Sequence, residues 1–175
     1  MRVAVLTISD AGARGLREDG SGDAIAAWVR GRGDELTARA LVPDETVEIV
    51  RCLTRWCDGD VADLVLTTGG TGLSPRDVTP VATRAVLERV APGIAERLRV
   101  LALESFPRAA LSRGVAGTRG RSLVVNLPGS TGGVRDALAA LEPIVAHAVG
   151  ILRDAPTDHS AGAAGPSVSR GGDPR

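Results

Sequence analysis

The stretch Val3 to Ile8 is apolar at nearly every position and stops abruptly at Ser9-Asp10. An alternating strand buries one face, whereas an almost unbroken apolar run needs cover on both. Val61 to Thr67 repeats the pattern and runs straight into Thr68-Gly69-Gly70-Thr71-Gly72. Strands covered on both faces belong to sheets flanked by helices, and the intervening segments supply those helices.

Ala11 to Gly20 is glycine-rich and charged and reads as a loop; Ser21 to Gly31 carries Ile25, Trp28 and Val29 on one side, and Leu36 to Val42 is a further strand stopped by Pro43. Asp44 to Trp56 places Val47, Val50, Leu53 and Trp56 at helical spacing, closed by Asp58-Gly59. Thr79-Pro80 reads as a cap followed by a first-turn proline. The helix it opens should run towards Val90, pause at Pro92-Gly93 and resume from Ile94 to Glu104. Gly114 to Thr118 and Ser122 to Leu127 read as a hairpin around Arg119-Gly120. A last helix begins at Ser130 or Thr131 and should bend at Pro143. The expected fold is α/β, three layers (α/β/α), with a mostly parallel sheet and one antiparallel hairpin element. One domain should span residues 1–153, and residues 154–175, rich in Pro, Gly, Ser and Ala, should be a disordered tail.

Composition narrows the function. Acidic and basic residues balance at 21 each, so the basic excess of nucleic-acid binders is missing. Aromatics make up only 2% of the chain, which disfavours stacking of bases on an aromatic platform. Every basic residue apart from His147 and His159 is arginine, which excludes a Schiff-base or phosphate-loop lysine. Cys52 and Cys57 make no metal pattern and read as a packed, reduced pair. The N-terminal apolar run is too short for a signal peptide, and no run reaches transmembrane length. A cytoplasmic protein without nucleic-acid or membrane partners is expected.

In parallel sheets, ligands sit beyond the carboxyl ends of the strands. Ser9-Asp10, Pro43-Asp44, the Gly69 loop and Asn126-Leu-Pro-Gly-Ser130 should all converge on that edge. The glycines of Thr67-Thr-Gly-Gly-Thr-Gly can turn backbone N–H groups into a nest for an anion. The loop lacks the Gly-Lys-Ser/Thr of a Walker A motif, and Pro75 replaces the third glycine of a dinucleotide loop. Asp77 is the odd residue, since Thr79 already serves as a cap. An acid beside a phosphate nest is repulsive unless it holds a cation, as Mg²⁺ is held by one or two carboxylates and substrate phosphates. Arg76 reads as solvated, with a phosphate contact as the alternative. Asp44 is open between helix cap and ligand, with Glu45 as a substitute. Ser112-Arg113 is a phosphate contact or a turn.

Strand, then Thr-Thr-Gly-Gly-Thr-Gly-x-x-x-Arg-Asp-Val-Thr-Pro, then Leu-Ser-Arg, then Asn-Leu-Pro-Gly-Ser-x-Gly-Gly-Val-Arg resembles the MogA/MoaB molybdopterin-binding family, from Val3 to about Leu152. The resemblance implies a trimer or hexamer that uses Mg²⁺ and ATP to adenylylate the terminal phosphate of molybdopterin, with pyrophosphate released. It also implies hand-over to a molybdenum-insertion protein. By motif it assigns Asp44 and Asp77 as the essential acids and metal ligands. Ser9, Asp10, Ser21, Gly69, Gly70, Thr71, Gly72, Ser112, Asn126, Pro128, Gly129 and Ser130 match ligand-lining positions. Thr131 departs from the proline of many relatives. The alternative it leaves is a non-catalytic, MoaB-type binding protein.

Overall fold

Val3 and Val5 of strand β1 (Arg2–Ile8) face one side of a sheet, while Ala4, Leu6 and Ile8 face the other, and all five are buried. This double burial is what the unbroken apolar run demanded. The same division recurs in β3 (Leu64–Thr68), where Leu64 and Leu66 oppose Val65. In β6 (Ser122–Leu127), Leu123, Val125 and Leu127 likewise oppose Val124. The computed structural model describes residues 1–154.

With β2 (Glu35–Val42), β4 (Arg89–Val90) and β5 (Ala116–Arg119), the sheet has six strands in the order β2-β1-β3-β6-β5-β4. The strands β2, β1, β3 and β6 are mutually parallel, and β5 runs antiparallel to both of its neighbours. One face is covered by α2 (Gly20–Gly31), α5 (Pro92–Leu103) and α6 (Thr131–Leu152), which bury Ile25, Leu98 and Leu141. The other is covered by α3 (Thr46–Asp58) and α4 (Thr79–Val86), through Ile49, Leu53 and Ala82. The three layers and the hairpin agree with the sequence-based expectation. None of these helices is long and apolar enough to cross a membrane.

Four local expectations are corrected. The segment after Ser9 is not wholly loop, because it contains the single-turn helix α1 (Asp10–Ala13), capped by Ser9. The helix opened at Thr79 stops at Val86, and Arg89–Val90 becomes the edge strand pairing with Thr118 and Gly117. A two-residue strand carries too little periodicity to show in sequence. In α3 the buried face is Ile49, Leu53, Trp56 and Cys57, and Val47 is exposed. The helix also starts at Thr46, two residues later than expected. Thr79 is a helical residue rather than the cap; Val78 holds that position without a side-chain bond. The tail expected from residue 154 lies, beyond Asp154, outside the described residues, as does His159.

Both cysteines are free thiols, as expected. Burial pushes the Cys57 thiol up to about 11, against a small opposing hydrogen bond with Ser122. Half-buried Cys52 is therefore expected to react first with an aromatic disulfide reagent at pH 8, leaving Cys57 unmodified until the protein unfolds. Two equal, fast phases in the native protein would contradict this.

Candidate functional site

The parallel strands β1, β2, β3 and β6 end at one edge, and their four following loops meet there as expected. The loop after β3 begins with Gly69 at φ +99° and Gly70 at φ +62°, both in the left-handed region. A Cβ on Gly69 would collide with the carbonyl oxygen of Ile8. On the other side, Gly129 lies so close that its own Cβ would stand 3.1 Å from Gly69 Cα. Thr68 Oγ1 donates to the Pro128 carbonyl at 2.6 Å, locking the two loops together. Only side chains this small allow the loops after β1, β3 and β6 to pack in one layer.

The joined loops form a partition with a cavity on each side. On one side, about 580 Å³ is bounded by Ser9, Ser21, Asp44, Gly69, Gly70, Asp77 and Gly129. On the other, about 510 Å³ of mainly apolar wall is bounded by Thr71, Gly72, Ser112, Asn126, Pro128 and Ser130, with Phe106 at the lip. The predicted residues therefore divide between two cavities rather than lining a single pocket. Asp10 borders neither cavity.

Asp44 does not cap its helix; Glu45 occupies the cap position of α3 and makes no side-chain cap bond. Asp44 Oδ2 instead accepts the Asp10 N–H at 2.8 Å, and the Asp44 N–H donates to Asp10 Oδ1 at 3.1 Å. Its Oδ1 is directed at the space beside Gly70, 2.8 Å from where a Cβ on that glycine would lie. Buried Thr79 Oγ1 borders the same space and has no hydrogen-bond partner among the described residues. Burial raises the Asp44 carboxyl above the usual carboxylate range, the Asp10 N–H opposes this, and the charges of Asp10 and Asp77 add to the rise. These are the marks of an acid placed where charge is costly unless a cation compensates it.

Asp77 was expected to be unexplained by turn chemistry, and the structure corrects this. Its Oδ2 accepts the Ser74 N–H at 2.8 Å and closes the turn Ser74–Asp77. Asp77 nonetheless borders the acidic cavity with Asp44. Among the described residues there is no cluster of three or more His, Cys, Asp or Glu able to cage a metal alone. Two acids bordering one cavity suit Mg²⁺, which takes much of its coordination from water and substrate phosphates.

Arg76 is not merely solvated: its guanidinium pairs with Asp10 at 3.0 Å and Glu45 at 2.9 Å. Ser9 and Ser130 are both helix caps, each accepting an N–H three residues on, from Gly12 and Gly133. Ser21 Oγ donates to Asp19 Oδ1 at 3.4 Å. Ser112 Oγ accepts the Gly114 N–H at 3.3 Å, so Ser112 takes part in a turn. Arg113 donates to the Gly72 carbonyl at 2.6 Å and to the Asp77 carbonyl, pinning the glycine loop through its backbone. Asp19 went unnoticed in the sequence; it caps α2 and also binds Thr7 Oγ1 and Arg39 at the acidic cavity. An Asp two residues before a serine gave no signal beyond an ordinary cap.

Asn126 is 4% exposed, and its side chain is fully employed. Its amide donates to Thr67 Oγ1 and Thr83 Oγ1, each at 2.9 Å, and its Oδ1 accepts the Val115 N–H at 3.2 Å. Asn126→Ala is therefore expected to destabilise the protein by about 2–4 kcal/mol, since it strands the buried Val115 N–H, takes a donor from the Thr67 and Thr83 hydroxyls and leaves a void. Chemical denaturation measures this; an unchanged midpoint with weakened ligand binding would instead mark Asn126 as a direct contact.

Residues 4–147 match the family model described as "Probable molybdopterin binding domain". The chain belongs to the MogA/MoaB molybdopterin-binding family. Within this family it is 38% identical over 158 residues to molybdopterin adenylyltransferase of Helicobacter pylori strain J99, covering 87% of this chain and 88% of that one. It is 37% identical over 164 residues to gephyrin of Dictyostelium discoideum, covering 88% of this chain but only 23% of gephyrin. The crystal structure of the molybdopterin biosynthesis enzyme MoaB from Thermus thermophilus superposes with a TM-score of 0.84 at 50% identity, covering 89% of this chain and 98% of that one.

Proposed function

We propose that the protein is a molybdopterin adenylyltransferase of molybdenum cofactor biosynthesis, with ATP as co-substrate. The observation that carries this is the partition: one glycine loop borders two cavities, and two acids stand at its edge on one side. A transfer between two substrates needs two sites meeting at the reacting phosphates. A protein that only stores one ligand has no need of the second.

The molybdopterin phosphate oxygen attacks the α-phosphorus of ATP, and the bond to the β-phosphate oxygen breaks, releasing pyrophosphate. The nucleophile belongs to the substrate, so no Ser-His-Asp or Cys-His set is required. The residues position and neutralise the anions. Backbone N–H groups of the Gly69 to Gly72 loop donate to anionic oxygens. Asp44 and Asp77 would hold Mg²⁺, which when bound neutralises phosphate charge. Asp44 fits this role because its Oδ1 faces the cavity while Oδ2 is fixed by the Asp10 N–H. Arg113 keeps the loop in register from behind.

The same reading includes a cytoplasmic location, hand-over to a molybdenum-insertion protein and a trimeric or hexameric assembly. Exposed Val100, Leu103, Phe106 and Leu111 on α5 and the turn after it offer an apolar surface for self-association. The test is pyrophosphate release from the purified protein with molybdopterin, ATP and Mg²⁺. Tight molybdopterin binding without any pyrophosphate would replace this reading with the non-catalytic one.

A further inference from the structure

Asp10 and Asp44 exchange hydrogen bonds, each carboxylate accepting the other's backbone N–H, at 2.8 and 3.1 Å. Two carboxylates so close repel unless one is compensated. Of the two, Arg76 bonds directly only to Asp10: Nε donates to Oδ2 at 3.1 Å and Nη2 to Oδ1 at 3.0 Å, while Asp44 feels its charge without a bond. Nη2 also reaches Glu45 Oε1 at 2.9 Å, the residue after Asp44. Arg76 thus neutralises Asp10 and Glu45, the acids on either side of Asp44, while the Asp44 Oδ1 stays turned towards Gly70. It also precedes Asp77, so one short turn carries both an acid of the site and the strut that reaches Asp10. Its side chain is 53% exposed, and exposed ion pairs contribute little to stability, so a stabilising role accounts poorly for this bridging. Nor does Arg76 border either cavity.

We infer that Arg76 is a positioning residue, which holds Asp10 so that Asp10 holds Asp44 with Oδ1 aimed into the acidic cavity. The inference rests on the proposed catalytic role of Asp44. Asp10, which the family motif matched to a ligand-lining position, then serves as a buttress.

The experiment uses the full-length protein with molybdopterin and Mg-ATP. Arg76→Gln should lower kcat by about 10- to 100-fold, as small misplacements of a catalytic group do. The KM for molybdopterin should stay within about threefold, because no substrate contact is lost. Arg76→Lys should fall between Gln and wild type, since a point charge cannot reproduce the fork. On the residual turnover of Asp44→Asn, adding Arg76→Gln should cost less than about twofold, because the effect passes through Asp44. Independently of turnover, the Asp10 amide proton should move upfield in Arg76→Gln as its bond to Asp44 loosens. Wild-type kcat in Arg76→Gln, an equal cost with and without Asp44, or an unmoved Asp10 amide would each overturn the inference. If Asp44→Asn alone keeps wild-type turnover, the catalytic reading of Asp44 fails, and the amide shift still decides whether Arg76 positions it.

Discussion

Asp44→Asn is expected to reduce pyrophosphate release by at least about 100-fold, and Asp77→Asn by a similar factor, because each removes a charge from the proposed site of adenylyl transfer. Neither change should unfold the protein. An asparagine at position 44 keeps an oxygen for the Asp10 N–H, and at position 77 it keeps one for the Ser74 N–H. For Asp44 the sign of the stability effect follows from its raised carboxyl value. The fold disfavours the ionised form, so the stability gained by protonation is complete below the ordinary carboxylate value. It is lost as pH rises through the raised value. In metal-free protein, denaturation midpoints should therefore fall across that window for wild type and fall less for Asp44→Asn. At neutral pH the variant should be at least as stable as wild type. Wild-type turnover in either variant would remove that acid from the mechanism. A collapse of stability in Asp44→Asn would show that it is a structural residue.

Gly69→Ala is expected to be the most damaging single substitution in the fold, with a loss of more than about 4 kcal/mol, in the range reserved for steric conflict with fixed backbone. The left-handed φ of +99° already penalises a side chain. The larger effect is the collision with the Ile8 carbonyl oxygen, which belongs to the central strand β1 and cannot move aside. Gly129 also packs close to Gly69, which limits how far the loop can relax. Gly93→Ala is the control, because no atom lies within 4 Å of its added Cβ and it sits in the first turn of α5. It should gain about 0.4–1 kcal/mol by restricting the unfolded chain. Urea denaturation of the two variants decides the matter: similar midpoints would mean that the glycine loop yields more readily than its packing implies.

The layers of the fold were legible because hydrophobic periodicity is a local property. Val3 to Ile8 announces a strand buried on both faces whatever surrounds it, and its alternate residues fill both cores. The position of the site was legible for a related reason, since parallel strands bring their carboxyl ends to one edge. The edge strand Arg89–Val90 was not legible, because only its pairing with β5 defines it. The buried face of α3 is set by which of its apolar residues meet the sheet, and Glu45 rather than Asp44 takes the cap position for reasons outside that segment.

The sequence by itself determined the α/β architecture, the glycine loop and the acids worth watching. Residue types and spacings suffice for those, because backbone freedom, charge and period act within a few residues. What only the tertiary structure decided is how the acids are used. Asp44 is released from capping by a bond to Asp10, which lies thirty-four residues away in the chain. Asp10 is in turn held by Arg76, sixty-six residues from it. The predicted residues also divide between two cavities because Gly69 packs against Gly129. Such partnerships follow from the closing of the sheet, which sets side by side groups that no local pattern relates.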